Sequence, residues 1–162
     1  MKFTFPLCGA LLVASVVTTT AVAQDKIDPA IEAAINARQS HMTLYAFNLA
    51  PLGAMAKGEI AYNADVATAA AENLAALARI DESRYWPPGS DTATLGEEHT
   101  KALKEIWAEG SKIGSHVEKL IETSADMAKA AGNGLASLRA AMIPLGKSCS
   151  GCHEDFRAAT DE

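Results

Sequence analysis

Four stretches of the chain repeat apolar residues every three or four positions, which is the spacing of one face of an α-helix. In the first stretch, from Asp28 to Leu52, Arg38 occupies a position where this spacing would normally place an apolar residue. Asp28 and Pro29 are a typical N-cap and first-turn pair. Pro51 predicts a bend, and Lys57-Gly58-Glu59 predicts the end of the helix. The predicted core face is Ile31, Ile35, Arg38, Met42, Tyr45, Leu49 and Leu52.

The second predicted helix begins at Asn63 or Ala64 and is rich in alanine, which lets neighbouring helices approach closely. Arg84 to Thr94 follows it and contains Pro87-Pro88-Gly89-Ser90. These residues cannot continue a helix, so they predict the one substantial loop of the domain. The second core face is Val66, Ala70, Leu74, Leu77 and Ile80.

The third predicted helix extends from roughly Glu98 to Lys129, and Gly132-Asn133-Gly134 separates it from the fourth, in which Pro144 is expected to cause a distortion. The third core face is Leu103, Ile106, Gly110, Ile113, Val117, Leu120, Ser124 and Met127, and the fourth is Leu135, Leu138, Met142, Leu145, Cys149, Cys152 and Phe156. Four such helices joined mostly by short loops predict an all-α fold, an antiparallel four-helix bundle, whose core commonly houses a cofactor.

Length and composition agree with a single small helical domain. Of 162 residues, 49% are hydrophobic, 21% are charged and only 6% are aromatic, which leaves no room for a second domain and favours helices over sheets. The formal net charge is -6, and no run of Lys or Arg is available to follow a phosphate backbone. Nucleic acid is therefore disfavoured as a partner.

Residues 1–23 have the pattern of a secretory signal peptide. Lys2 supplies the positive start, Phe3 to Val17 are largely apolar, and Ala21-Val22-Ala23 is a small-x-small cleavage site. A membrane span is disfavoured because Thr18-Thr19-Thr20 ends the apolar stretch before the roughly 20 residues that a bilayer requires.

Cleavage after Ala23 predicts a mature domain of residues 24–162. Losing Lys2 leaves 13 of the 14 cations against 20 acidic residues, a formal charge of -7. Cys8 precedes the apolar core of this segment instead of closing it, so a lipid-anchored protein is disfavoured. We expect a protein exported to the oxidising bacterial periplasm, with no stable membrane anchor after cleavage.

The motif with the clearest chemistry is Cys149-Ser150-Gly151-Cys152-His153, the C-x-x-C-H attachment sequence of c-type haem. Two cysteines three positions apart on a helix share one face, so their thiols can add to the two vinyl groups of one porphyrin. His153 can then offer a ring nitrogen to the iron. The motif predicts one covalent haem c.

Three other sites use a similar motif. A thioredoxin-like dithiol places its cysteines at the start of a helix after a strand, and no strand pattern precedes Cys149. A structural zinc site needs about four ligands, and no second Cys or His cluster supplies them. A plain disulfide is the third alternative. Export and the bundle pattern favour haem.

These features resemble the class II cytochromes c, the cytochrome c′ group. The resemblance implies that Cys149 and Cys152 bind haem, that His153 is the proximal ligand, that Arg38 lies near a propionate and that Arg157 flanks the proximal histidine. An ion pair with a nearby carboxylate is the alternative for Arg38. The resemblance rests on Arg38-Gln39-Ser40-His41-Met42, Met55-Ala56-Lys57-Gly58, Ile60-Ala61-Tyr62-Asn63-Ala64, the Pro-Gly loop and Cys149 to Arg157.

The residue on the other side of the iron decides between electron transfer and gas binding, and in this family it comes from the position of Met42. Met42 lies on the predicted core face, so its thioether is expected to complete a His/Met iron. Two alternatives are an iron without a second protein ligand and ligation by His41. A rotation of about 100° per residue places His41 on a face, shared with Ala34 and Asn48, that is expected to be wetter.

The predicted function is a single-electron carrier between periplasmic redox proteins, and the alternative is a high-spin binder of nitric oxide or carbon monoxide. An enzyme is not expected, because no acid/base pair or nucleophile triad accompanies the motif. The resemblance implies a homodimer packed through the first two helices, although Ala-rich faces also occur in monomers. His99 and His116 are expected at the surface, and three further methionines in the core: Met55, Met127 and Met142.

Overall fold

The computed structural model describes residues 26–159, so the predicted signal peptide at residues 1–23 lies outside the described residues. The described chain forms α1 (Pro29–Lys57), α2 (Ala64–Leu77), α3 (Thr92–Leu95), α4 (Ile113–Ala130) and α5 (Leu135–Phe156), with 3-10 helices at Ser83–Tyr85 and Lys104–Trp107. None of the helices within 26–159 is long and apolar enough to cross a membrane.

The four long helices form the predicted bundle. α1 packs against α2 and α5, and α4 packs against α2 and α5, so the four helices close a ring. Short links join α1 to α2 and α4 to α5, whereas the α2–α4 connection is long. The core inside the ring consists of Leu52, Met55, Ala67, Ala70, Ala71, Leu74, Met127, Ala131, Leu138 and Leu145.

The helix ends follow the predicted capping residues. Asp28 Oδ1 accepts a hydrogen bond of 2.7 Å from the Ala30 amide, and Asn63 Oδ1 accepts one of 3.0 Å from the Val66 amide. Gly58 ends α1 with a φ of 81°, a conformation that favours glycine. Pro51 and Pro144 both lie inside their helices without ending them.

The third predicted helix is wrong in its first half, because α4 begins only at Ile113. The preceding segment pairs instead with the end of α5 and the residues after it. Leu103 N donates to Phe156 O at 2.9 Å, and Ala158 N donates to Lys101 O at 2.8 Å. The packing of Ala102, Ile106 and Phe156 explains the apolar spacing in this segment. Tertiary hydrogen bonds have here overridden a helical pattern.

The predicted core face of α1 is also displaced. His41 and Asn48 are buried, whereas Met42 is 40% exposed. The face expected to be wetter is therefore a buried one. Asn48 finds partners there, since its Nδ2 donates to Leu44 O and its Oδ1 accepts from Asn73 Nδ2 at 2.9 Å. Asn48 can be buried on this side because both ends of its side-chain amide have hydrogen-bond partners.

Candidate haem site

Cys149 and Cys152 lie in the last two turns of α5, both partly buried and neither in a disulfide. The helix places them one turn apart on the same side, as their spacing predicts. Cys152 also packs against the small cluster of Ala102, Ile106 and Phe156, which fixes this end of α5 against the long connection. Two free thiols therefore stand side by side on a rigid element.

The surroundings of the thiols do not fit a thioredoxin-like dithiol. Burial raises the pKa of Cys149, and the Ser148 side chain opposes that shift only in part. The pKa of Cys152 is raised by burial first, and then by the negative charges of Cys149, Asp155 and Glu82. Redox-active dithiols need a lowered pKa, usually at a helix N-terminus, whereas these cysteines are near a C-terminus.

His153 is partly buried and has the protonation state that a metal ligand requires. Burial lowers its pKa, and the positive charge of Arg157 lowers it further, so the imidazole is neutral at neutral pH. Arg157 is thus close enough to His153 for its charge to act on the imidazole. Both side chains border a cavity of about 380 Å³ whose lining is Ser150, His153, Glu154, Arg157, Ala158 and Ala159.

Arg38 is buried and donates to neutral oxygens of the α2–α4 connection. Its guanidinium donates to Ser90 Oγ at 2.7 Å, Ser90 O at 2.6 Å, Thr100 Oγ1 at 2.5 Å and Tyr85 O at 3.3 Å. It also lies 4.9 Å from the ring centroid of Trp86. Burial lowers the pKa of Arg38 and the charge of Asp91 opposes that shift, but within 26–159 no carboxylate pairs directly with it.

Glu82 contacts both α1 and the α2–α4 connection, and the sequence does not predict this role. Its Oε1 lies 3.4 Å from Nδ1 of His41, and its Oε2 accepts a 3.0 Å hydrogen bond from Trp86 Nε1. The ring of His41 stacks on Tyr45 with a centroid distance of 4.9 Å. Glu82 follows a helix end and carries no motif, so no sequence signal identifies it.

Met42 lies one turn before Tyr45 on α1, and residues three apart on a helix are neighbours. Burial raises the pKa of Tyr45, and the charges of Glu82 and Cys149 add to that shift, so Tyr45 lies within electrostatic range of Cys149. Met42 is 40% exposed, whereas Met55 and Met127 are at most 1% exposed. Its thioether is therefore accessible to a ligand. This accessibility comes from exposure, so the prediction that Met42 lies on the core face is wrong.

The predicted core methionines and surface histidines lie where expected, whereas Val66, Ile80 and Val117 of the predicted core faces are 46%, 46% and 45% exposed. Met55 and Met127 are in the core, and Met142 packs against it. His99 is exposed, and His116 is partly exposed with its Nε2 3.0 Å from Asp155 Oδ2. Trp86 and Trp107 anchor the long connection, since Trp107 Nε1 donates to Trp86 O.

The donor set fits haem c. Two free thiols share one side of α5, a neutral imidazole follows them, and a thioether is accessible on the neighbouring α1. Buried Nε2 of His41 and Oη of Tyr45, both without hydrogen-bond partners, lie on the same part of α1. By contrast, residues 26–159 contain no group of three or more His, Cys, Asp and Glu side chains that could hold a metal ion such as zinc.

A family model described as Cytochrome C′ matches residues 33–157, from the first turns of α1 to the end of the C-x-x-C-H region. The chain belongs to the cytochrome c′ family. It is 41% identical to cytochrome c-554 of Cereibacter sphaeroides, covering 94% of this chain and 97% of that protein. The family carries one covalently attached haem c, and this cytochrome does so as well.

Solved structures agree with this membership. A cytochrome c′ from Rhodobacter spheriodes superimposes with a TM-score of 0.77 at 34% identity, covering 80% of this chain and 98% of that chain. A second cytochrome c′, one with ligand-controlled dimer dissociation, has a TM-score of 0.72 at 25% identity and covers 80% of this chain and 97% of its own. The predicted four-helix bundle is confirmed.

Proposed function

We propose that this cytochrome is a periplasmic single-electron carrier in which His153 and Met42 are the two axial ligands of a haem attached to Cys149 and Cys152. When bound, haem c supplies an iron that cycles between the ferric and ferrous states. The chain itself attaches the porphyrin, holds the ligands and limits access of water. It has no step to perform on a substrate.

The observation that carries this proposal is the accessible thioether of Met42, one turn before Tyr45 on α1. A methionine already packed into the core is not free to coordinate, which excludes Met55 and Met127. Met42 neighbours Tyr45, whose phenol lies within electrostatic range of Cys149. A His/Met pair raises the reduction potential relative to two nitrogen ligands, which suits an electron carrier.

Arg38 and Arg157 complete the proposed site. Four donated hydrogen bonds to neutral oxygens fix Arg38, and the Asp91 carboxylate is near without pairing with it, so a haem propionate would supply a directly paired anion. Arg157 is exposed beside His153 and helps to keep that imidazole neutral. Both roles are electrostatic.

A second function, binding of nitric oxide or carbon monoxide at an open iron, is favoured by the cytochrome c′ relatives, one of which has ligand-controlled dimer dissociation. The absorption spectrum of the reduced protein separates the two. Sharp low-spin α and β bands, with no rapid binding of carbon monoxide, support the carrier. A broad high-spin spectrum with rapid binding would instead support gas capture.

We further propose a homodimer packed through α1 and α2. Leu44 and Phe47 on α1 are 49% and 75% exposed, and Val66 at the start of α2 is 46% exposed. Phe47→Glu should yield monomers by sedimentation velocity at concentrations where the unmodified protein is dimeric. Ile143→Glu is the matched control, since Ile143 on α5 is 63% exposed and lies on another helix. An unmodified protein that is monomeric throughout would refute the dimer.

A further inference from the structure

Two buried polar atoms on α1 have no hydrogen-bond partner, Nε2 of His41 and Oη of Tyr45. Within residues 26–159 the other such side-chain atom is Ser124 Oγ on α4. A polar group buried without a partner is costly, so an orphaned pair in one place calls for a physical explanation.

The two side chains lie on successive turns of α1 and are held firmly. The His41 and Tyr45 rings are parallel within 6°, with centroids 4.9 Å apart. Tyr85 packs edge-on against His41 at 5.9 Å. Glu82 Oε1 lies 3.4 Å from Nδ1 of the same imidazole, which favours a proton on Nδ1 and leaves Nε2 as an acceptor. The position of the Tyr45 ring is therefore set before any ligand arrives.

The Tyr45 hydroxyl is a donor on the side of α1 that faces α5. A tyrosine phenol is protonated at neutral pH, and burial and the charge of Glu82 raise the pKa of Tyr45 further. A protonated phenol that has no partner can donate one hydrogen bond to a guest. The polarity and donors of a haem pocket govern which small ligands it retains.

We propose that Tyr45 Oη donates a hydrogen bond to a diatomic ligand bound at the haem iron on the α1 side, with His41 positioning the Tyr45 ring. This inference rests on the proposed haem site between α1 and α5. It holds whether Met42 binds the iron or no second protein ligand does, because the diatomic takes that position. With this donor in place, a hydrogen-bonding ligand would be held longer than one beside apolar side chains alone.

Carbon monoxide on the reduced holoprotein is the probe, in a Met42→Ala background that removes the competing thioether. The infrared C–O stretching frequency is the readout, because a hydrogen bond to the bound ligand lowers it. Adding Tyr45→Phe should raise that frequency and speed carbon monoxide release roughly fivefold, the effect of one neutral hydrogen bond. Tyr45→Leu removes the same hydroxyl and should also raise the frequency and speed release. The inference can therefore still be tested if one of the two variants fails to fold.

Tyr62→Phe is the matched control, since the Tyr62 hydroxyl already donates to Ala131 O at 2.7 Å and accepts from Gly134 N at 2.9 Å. It should leave the stretching frequency unchanged. For His41, His41→Ala should broaden the infrared band by freeing the Tyr45 ring, and His41→Phe should restore a narrow band because it keeps a stacked ring.

An unchanged frequency in both Tyr45 variants would overturn the inference while leaving the axial ligation untouched, since the reduced spectrum reports ligation separately. A Met42→Ala protein that remains low-spin and excludes carbon monoxide would also overturn it, because His41 would then be bound to the iron. A high-spin spectrum in the unmodified protein would refute His/Met ligation alone, and the infrared test would still apply.

Discussion

Replacing Arg38 with methionine tests how far the long connection depends on one buried guanidinium. Arg38 is 4% exposed and donates to three residues of that connection: Tyr85, Ser90 and Thr100. After the substitution, Ser90 Oγ keeps its hydrogen bond to Pro87 O, and Thr100 Oγ1 keeps the one from Ala102 N. The Ser90 carbonyl, by contrast, loses its partner in a buried position.

The expected loss follows from these contacts. One buried acceptor left without a partner costs about 1–3 kcal/mol, and the lost charge-assisted bonds add to it, offset by relief from burying a charge. We expect Arg38→Met to lower the free energy of unfolding by about 2–4 kcal/mol. At a urea dependence of about 2 kcal/mol per molar, the unfolding midpoint of the holoprotein should fall by about 1–2 M.

Urea unfolding followed by far-UV circular dichroism provides the measurement. Arg84→Met is the control, because Arg84 is exposed and its side chain makes no hydrogen bond or ion pair within residues 26–159. The control should change stability by less than about 0.5 kcal/mol. A loss below about 1 kcal/mol for Arg38→Met would refute the structural role assigned to its guanidinium.

Three further predictions concern attachment, charge and pH. Replacing Cys149 and Cys152 with Ser should give protein whose haem is removed by acid–acetone extraction, and retention of haem would disprove the attachment site. Because the predicted mature charge of -7 becomes more negative with ionised propionates, association with a basic redox partner should slow as salt rises, whereas a salt-independent rate would indicate apolar recognition. The Tyr45 phenol has a raised pKa in the folded state, so the stability that it contributes should decline as pH rises above about 10, where the unfolded tyrosine ionises. In alkaline unfolding, Tyr45→Phe should lessen that decline.

The sequence predicted the helices best where local signals were strong. Asp28 and Asn63 cap α1 and α2, Gly58 ends α1, and Gly134 precedes α5 with a φ of 99°. Each of these residues acts through its own backbone conformation or an adjacent amide, so no tertiary information is needed. The C-x-x-C-H motif is similarly local.

Prediction failed where contacts between distant segments decide the structure. The residues before Ile113 have helical spacing, yet their amides and carbonyls pair with the chain around Phe156. On α1, the apolar pattern predicted that Met42 and not His41 lies on the core face. His41 is the buried one, with Glu82 and the Tyr85 ring beside it. A polar residue is buried when its partners are in place, and those partners are far away in sequence.

The reduced absorption spectrum of Met42→Ala, compared with that of the unmodified protein, tests the central claim most directly. The unmodified protein should be low-spin, and the variant should be high-spin and bind carbon monoxide readily. The helix should persist, because Ala is the best helix former and Met42 is 40% exposed. An unchanged low-spin spectrum in the variant, or a high-spin spectrum in the unmodified protein, would contradict ligation of the iron by Met42.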